Sequence, residues 1–246
     1  MSGTRSPSPK APATEALIVA HGQPSDPAPA EEALRKVAGH VARLLPQWRI
    51  RSATMAAAGR LERELARASR PLVYPLFMSD GWFTRTALPA RLGAAEVRIL
   101  APLGLDPALP AVASRTLHRL AGEMGWEIGR TEILVAAHGS GAGRENPARC
   151  TYRFAHALSL LSEWHRVRIG LLEQEPRLST VAGHCAGQTI CLPFFAAGGE
   201  HVVRDVPEEL DAGRFGGMLC DSLGGADDIP ALIAGALQAA SLEIAA

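Results

Sequence analysis

Apolar residues in this chain gather into short continuous runs separated by stretches with helical spacing. In the second half Glu132 to Ala137, Val167 to Leu172 and Gln188 to Phe195 have strand length, and the shorter Met218 to Cys220 makes a fourth. Runs that are apolar at successive positions, not at alternate ones, belong to strands covered on both faces, as in parallel sheets. Between them Pro147 to Glu163, Pro176 to Ala182 and Pro207 to Gly213 read as helices. A last helix fits Ile229 to Ile244, where Pro230 suits a first turn. The first half repeats the scheme with Leu17 to Ala20, Arg49 to Thr54, Leu72 to Phe77 and Val97 to Leu100.

The repetition extends to individual residues. Ala16-Leu-Ile-Val-Ala-His21-Gly22 returns as Ile133-Leu-Val-Ala-Ala-His138-Gly139 at an offset of 117. Pro75, Phe77, Gly81 and Pro89 return as Pro193, Phe195, Gly199 and Pro207, all at an offset of 118. Agreement at so many positions marks an internal duplication. The expected architecture is α/β: two similar units, each a parallel sheet with helices on both faces, related by a pseudo-twofold axis around a cleft. The expected division is residues 15–125 and 126–246, meeting near the glycines Gly122, Gly125 and Gly129. Residues 1–14, rich in Ser, Pro and Ala without periodicity, read as a disordered leader.

Composition narrows the class. A chain of 246 residues, 47% hydrophobic, has enough apolar material for a sizeable core. Lys plus Arg and Asp plus Glu are both 25, and this neutral balance argues against nucleic-acid or anionic-membrane binding. No apolar run reaches the length that spans a bilayer. The four cysteines, Cys150, Cys185, Cys191 and Cys220, lack CxxC spacing and read as reduced thiols, which implies a cytoplasmic protein.

Ligands of open parallel sheets bind beyond the carboxyl ends of the strands, so ionisable residues just after strands are the candidates. In the second half His138 follows the first strand, Glu173 the second, and His201 lies a few residues past the third. Neighbouring strands run about 4.8 Å apart, so side chains from adjacent strand ends can converge. Two imidazoles and a carboxylate suit divalent Co, Fe, Ni or Zn, and they also supply bases that titrate near neutrality. Glu175 rivals Glu173, although its place before Pro176 also suits it to a helix N-terminus. Asp205 and Arg204 read as capping, paired or solvated residues, and His40, His118, His156, His165 and His184 as structural ones.

The second half resembles the sirohydrochlorin chelatases of the CbiX type. The resemblance rests on Ala137-His138-Gly139-Ser140, on Leu172-Glu173 through Glu175-Pro176, and on Leu192-Pro193-Phe194-Phe195 through Gly199-Glu200-His201 to Asp205-Val206-Pro207. The first half is similar through His21-Gly22 and the shared Pro, Phe and Gly positions. What the resemblance implies is a chelatase-like fold in its fused two-half form. It further implies insertion of Co²⁺ or Fe²⁺, or in relatives Ni²⁺, into a tetrapyrrole without a nucleotide cofactor. His138 and His201 would then bind the incoming metal and accept pyrrole protons, with Glu173 assisting. The implied partner is the tetrapyrrole, with neither nucleic acid nor membrane, and the chain would act as a monomer or homodimer.

At the repeat offset Phe83 stands opposite His201, and Met55 or Ala56 opposite Glu173. The first half thus keeps His21 but lacks the other two members. It is expected to form a wall of the cleft, with Trp82 and Phe83 either lying on the flat macrocycle or belonging to the core. Ser140, Arg144, Arg149 and Arg204 are placed to meet substrate carboxylates. A hydrolase reading fails because Cys220 stands where a nucleophile elbow requires glycine. A histidine phosphatase reading fails because Ala20 and Ala137 replace the arginine before His-Gly. A tetrapyrrole- or metal-binding protein without turnover is the alternative that remains.

Overall fold

A computed structural model describes residues 14–140 and 145–245. All of the expected leader except Thr14, and Arg144 among the candidate substrate contacts, lie outside the described residues. The first half runs β1 (Glu15–Ala20), α1 (Pro27–Leu44), β2 (Arg49–Thr54), α2 (Arg60–Leu65), β3 (Leu72–Pro75), α3 (Leu88–Leu92), β4 (Arg98–Ile99) and α4 (Leu109–Glu123). The second repeats it as β5 (Glu132–Ala137), α5 (Glu145–Ser159), β6 (Arg166–Leu171), α6 (Leu178–Ala182), β7 (Thr189–Pro193), α7 (Val206–Ala212), β8 (Met218–Leu219) and α8 (Ile229–Ala245). Every strand pairing is parallel, in the orders β2-β1-β3-β4 and β6-β5-β7-β8.

Alternation along the central strands assigns each sheet two apolar faces. In β5, Ile133, Val135 and Ala137 belong to one cluster, whereas Leu134 and Ala136 pack with Leu178 and Ala182 of α6 and Val206 and Leu210 of α7. In β1, Ala16 and Ile18 join the first of these clusters, while Leu17 and Val19 pack with Leu61 of α2 and Leu88 and Leu92 of α3. The shared cluster also takes in α1, α4, α5 and α8 and crosses from one half to the other. The order of layers is therefore outer helices, sheet, central helices, sheet and outer helices. The helix pairs α1–α8 and α4–α5 join the halves, and Arg115 pairs with Asp228 at 2.6 Å across them.

Two of the expected strands, Arg49–Thr54 and Glu132–Ala137, have the bounds read from sequence. Two local departures have physical causes. The helix expected from Pro176 begins at Leu178, because Arg177 is extended and bridges to Leu171 of the sheet. Ahead of α3 and α7 the chain also forms π-helical turns, at Phe83–Ala87 and His201–Asp205, which no hydrophobic period signals. All four cysteines are free thiols, as expected. Among the described residues no helix is long and apolar enough to cross a membrane.

Candidate functional site

Strand order brings the three second-half candidates together. β5 is central, flanked by β6 and β7, so His138 leaves the middle strand and the other two leave its neighbours. The pairing of β5 with β6 continues past both strand ends, with the Leu172 N–H donating to Ala137 O at 2.9 Å and the Glu173 N–H to His138 O at 3.0 Å. That extension sets Glu173 beside His138, and His138 Nε2 lies 3.6 Å from Glu173 Oε1. Glu175 instead turns back and accepts the Arg177 backbone N–H at 3.0 Å. Of the two rival carboxylates, Glu173 is the one beside the histidine.

The glycine after each histidine is required by the turn. Gly139 has φ of 72° and Gly22 has φ of 77°, in the left-handed region that side chains avoid. A Cβ on Gly139 would also come within 2.9 Å of Gln174 Cγ, in the side chain whose Oε1 accepts the Ser140 N–H at 2.7 Å. Gly139→Ala is expected to cost about 1–2 kcal/mol from the backbone conformation alone, read as a lowered midpoint in urea. An unchanged midpoint would show that the turn relaxes freely.

His201 reaches the site by a different route. After β7, the Gly224 N–H donates to Phe195 O at 2.9 Å, and a Cβ on Gly224 would lie 2.1 Å from Ala196 O. So tight a contact fixes the segment leading into the π-helical turn. His201 opens that turn, its ring parallel to Phe195 (28° between planes) and perpendicular to His138 with centroids 4.6 Å apart. His201 Nδ1 meets Asp205 Oδ2 at 2.6 Å, and Arg204 Nε donates to Asp205 Oδ1 at 3.1 Å. These two contacts, the histidine bond foremost, hold the Asp205 carboxyl below the usual carboxylate range. Arg204 also pairs with Glu200, so its guanidinium is engaged within the turn.

His138 Nδ1 lies 3.2 Å from Gly139 O, and His21 Nδ1 lies 2.7 Å from Gly22 O. A carbonyl or carboxylate only accepts, so in all three histidines Nδ1 carries a hydrogen, and Nε2 is the nitrogen that the neutral ring would offer to a metal. The three second-half residues do not form a finished cage: among the described residues no group of three His, Cys, Asp or Glu side chains is arranged to hold a metal ion. His138 instead stands between the other two. Two ligands of one tetrahedral metal, with bonds of about 2.0–2.2 Å, sit roughly 3.4 Å apart. The His138–Glu173 separation of 3.6 Å is close to that. Glu173, His201 and Asp205 also border a hollow of about 300 Å³ beside α6 and α7.

The first half copies this frame with other side chains. Phe83 meets His21 edge-on at 4.2 Å and lies parallel to Phe77, as His201 meets His138 and Phe195. The Ala56 N–H donates to His21 O at 2.9 Å, as that of Glu173 does to His138 O, which settles Ala56 as the counterpart of Glu173. Trp82 is 49% exposed and Phe83 38%, so neither belongs to the core. The strand-end loops of the two halves meet where Gln23 Nε2 donates to Glu200 Oε2 at 3.0 Å. Asp80 lies within reach of the Arg149 charge, although its own partner Arg85 does most to hold its carboxyl down.

Comparison with known proteins agrees with this frame. The CbiX family model matches residues 132–240. A solved structure described as CbiX, the terminal enzyme for biosynthesis of siroheme in denitrifying bacteria, is 42% identical to this chain. That match covers 92% of this chain and 99% of the other, with a TM-score of 0.84. The chain belongs to the CbiX family. More distant likenesses show the same fold. A multi-domain protein from Deinococcus radiodurans, described as structurally similar to chelatases, matches at 20% identity and TM-score 0.71, over 92% of this chain and 54% of that one. The sirohydrochlorin chelatase SirB from Bacillus subtilis subspecies spizizenii, in complex with cobalt, matches at 13% identity and TM-score 0.63, over 92% and 94% of the two chains. No curated protein matches the sequence. Within the CbiX family frame, the residue that sequence reading passed over is Asp205. The signal that marks it is its place four residues after His201.

Proposed function

We propose that this CbiX-family protein inserts a divalent metal ion into sirohydrochlorin or a closely related tetrapyrrole. The observation that carries the reading is His138 flanked by Glu173 and His201 at the strand ends, in a chain 42% identical to an enzyme of siroheme biosynthesis. Siroheme is the iron chelate of sirohydrochlorin, so Fe²⁺ is the first metal to test and Co²⁺ the second.

Insertion exchanges two pyrrole N–H protons for one M²⁺ ion and releases two protons. The ion must shed water and the macrocycle must be deprotonated. His138 Nε2, His201 Nε2 and the Glu173 carboxylate offer lone pairs for both tasks, by ligand exchange and then as general bases. With Nδ1 of each imidazole engaged by an acceptor within the chain, Nε2 is the nitrogen left to face the metal. His21, Trp82 and Phe83 form the opposing wall, where the exposed aromatic faces suit a flat ring system. Ser140, Arg149 and Arg144 follow His138 in sequence and are the candidates for the peripheral carboxylates. Arg204 serves the His201 turn first.

The test is anaerobic incubation of the purified protein with sirohydrochlorin and Fe²⁺, Co²⁺ or Ni²⁺, following the macrocycle absorption against the spontaneous rate. Acceleration with at least one metal is expected. No acceleration with any of them overturns the reading, and tight macrocycle binding without acceleration would make the protein a carrier.

A further inference from the structure

We infer that Asp205 is a positioning residue for metal insertion, locking His201 in the tautomer that presents Nε2 to the incoming ion. This rests on the insertion reading, but the geometry behind it is independent of that reading. Asp205 lies where the π-helical turn runs into α7, with helical backbone angles (φ −67°, ψ −40°), inside a continuous helical stretch. Its side chain makes no hydrogen bond to the backbone of α7. Both of its oxygens are used otherwise: Oδ2 accepts from His201 Nδ1 at 2.6 Å and Oδ1 from Arg204 Nε at 3.1 Å. Arg204 is itself held by Glu200. The result is a chain of charged groups, Glu200 to Arg204 to Asp205, that ends on one imidazole nitrogen.

The duplicated half supplies the control. Its π-helical turn Phe83–Ala87 has the same length and the same place before α3. There the histidine position is Phe83, and Thr86 and Ala87 replace Arg204 and Asp205. The turn therefore forms without the aspartate, so backbone structure does not explain Asp205. What the two halves do share is that the carboxylate stands where the imidazole stands and is missing where it is missing. A carboxylate on the non-ligating nitrogen fixes ring orientation and tautomer and makes the other nitrogen a better donor. His138 has only the Gly139 carbonyl for that purpose, at 3.2 Å.

The experiment compares Asp205→Asn, Asp205→Ala and Asp205→Glu with the parent chain. Three readouts are taken: equilibrium Co²⁺ binding without tetrapyrrole, the metal and tetrapyrrole KM values in the insertion assay, and the His201 tautomer by ¹⁵N NMR. Asn and Ala are expected to weaken Co²⁺ binding and raise the metal KM by about 10–100-fold. The tetrapyrrole KM should stay within twofold, Nδ1-unprotonated His201 should appear, and Glu should restore part of the loss. Co²⁺ affinity within twofold of the parent in both Asn and Ala would overturn the inference, and so would an unchanged tautomer. If the parent chain inserts no metal, the insertion reading fails alone, while Co²⁺ affinity and tautomer still decide the role of Asp205. Circular dichroism of each variant excludes simple misfolding, and a loss that Glu leaves unrestored together with a lowered unfolding midpoint overturns the inference as a packing effect.

Discussion

His138→Ala and His201→Ala are each expected to lower the rate of metal insertion by about 100-fold or more while leaving the fold intact. The size follows from what each removes, a metal donor and a proton acceptor in one group, and a positioned general base alone is worth roughly 10²–10⁴. Both side chains are well exposed, at 39% and 48%, and surface changes of this kind usually alter stability by about 0.5 kcal/mol or less. Activity and thermal midpoint should therefore separate cleanly. His21→Ala is expected to cost only a few-fold, because Phe83 and Ala56 leave His21 without partners of the kind that flank His138. Full activity in both second-half variants would move the site elsewhere. An equal loss in His21→Ala would mean that both walls take part in the chemistry.

The second large effect concerns the duplication. Residues 126–246 expressed alone are expected not to exist as a folded monomer, although they contain a full copy of the repeat. The main core runs through both halves, and Ile18, Tyr74 and Leu117 belong to the same cluster as Ile133, Leu192 and Leu237. Cutting the chain exposes the faces of α5 and α8 that meet α4 and α1. Fully burying one such side chain is worth about 1.5–3 kcal/mol, so uncovering four or five consumes the roughly 5–15 kcal/mol that holds a domain together. The isolated half should either pair with a second copy through these faces or remain unfolded. Light scattering together with far-ultraviolet circular dichroism distinguishes the outcomes, and a compact monomer that unfolds cooperatively would contradict the shared core.

Much of this was legible in the chain itself because duplication acts as an internal alignment. Offsets of 117 and 118 located both His-Gly turns and equated Phe83 with His201, and the ring geometry repeats at 4.2 Å and 4.6 Å. Buried parallel strands were visible because their apolar runs are continuous. The choice between Glu173 and Glu175 was not visible, since it depends on the β5–β6 pairing continuing beyond both strand ends. Nor were the π-helical turns, which hold one extra residue per turn and leave no periodic trace over five positions. Asp205 escaped for a related reason. An aspartate ahead of Val206-Pro207 looks like a helix cap, and only its side-chain geometry shows that it faces backward to His201.

Phe83 in the place of a histidine has a stereochemical consequence. A cavity with identical walls would treat both faces of a planar guest alike, and the guest could be loaded in either orientation. In the proposed site the second half offers imidazole nitrogen and carboxylate oxygen, whereas the first sets Trp82 and Phe83 around a single imidazole. Sirohydrochlorin carries saturated, stereogenic ring carbons, so its two faces are inequivalent. A site with donors on one side only would therefore discriminate between the two faces as the metal enters, although the in-plane chelate keeps no record of the choice. The duplicated fold thereby gains a facial preference that two equal walls would lack.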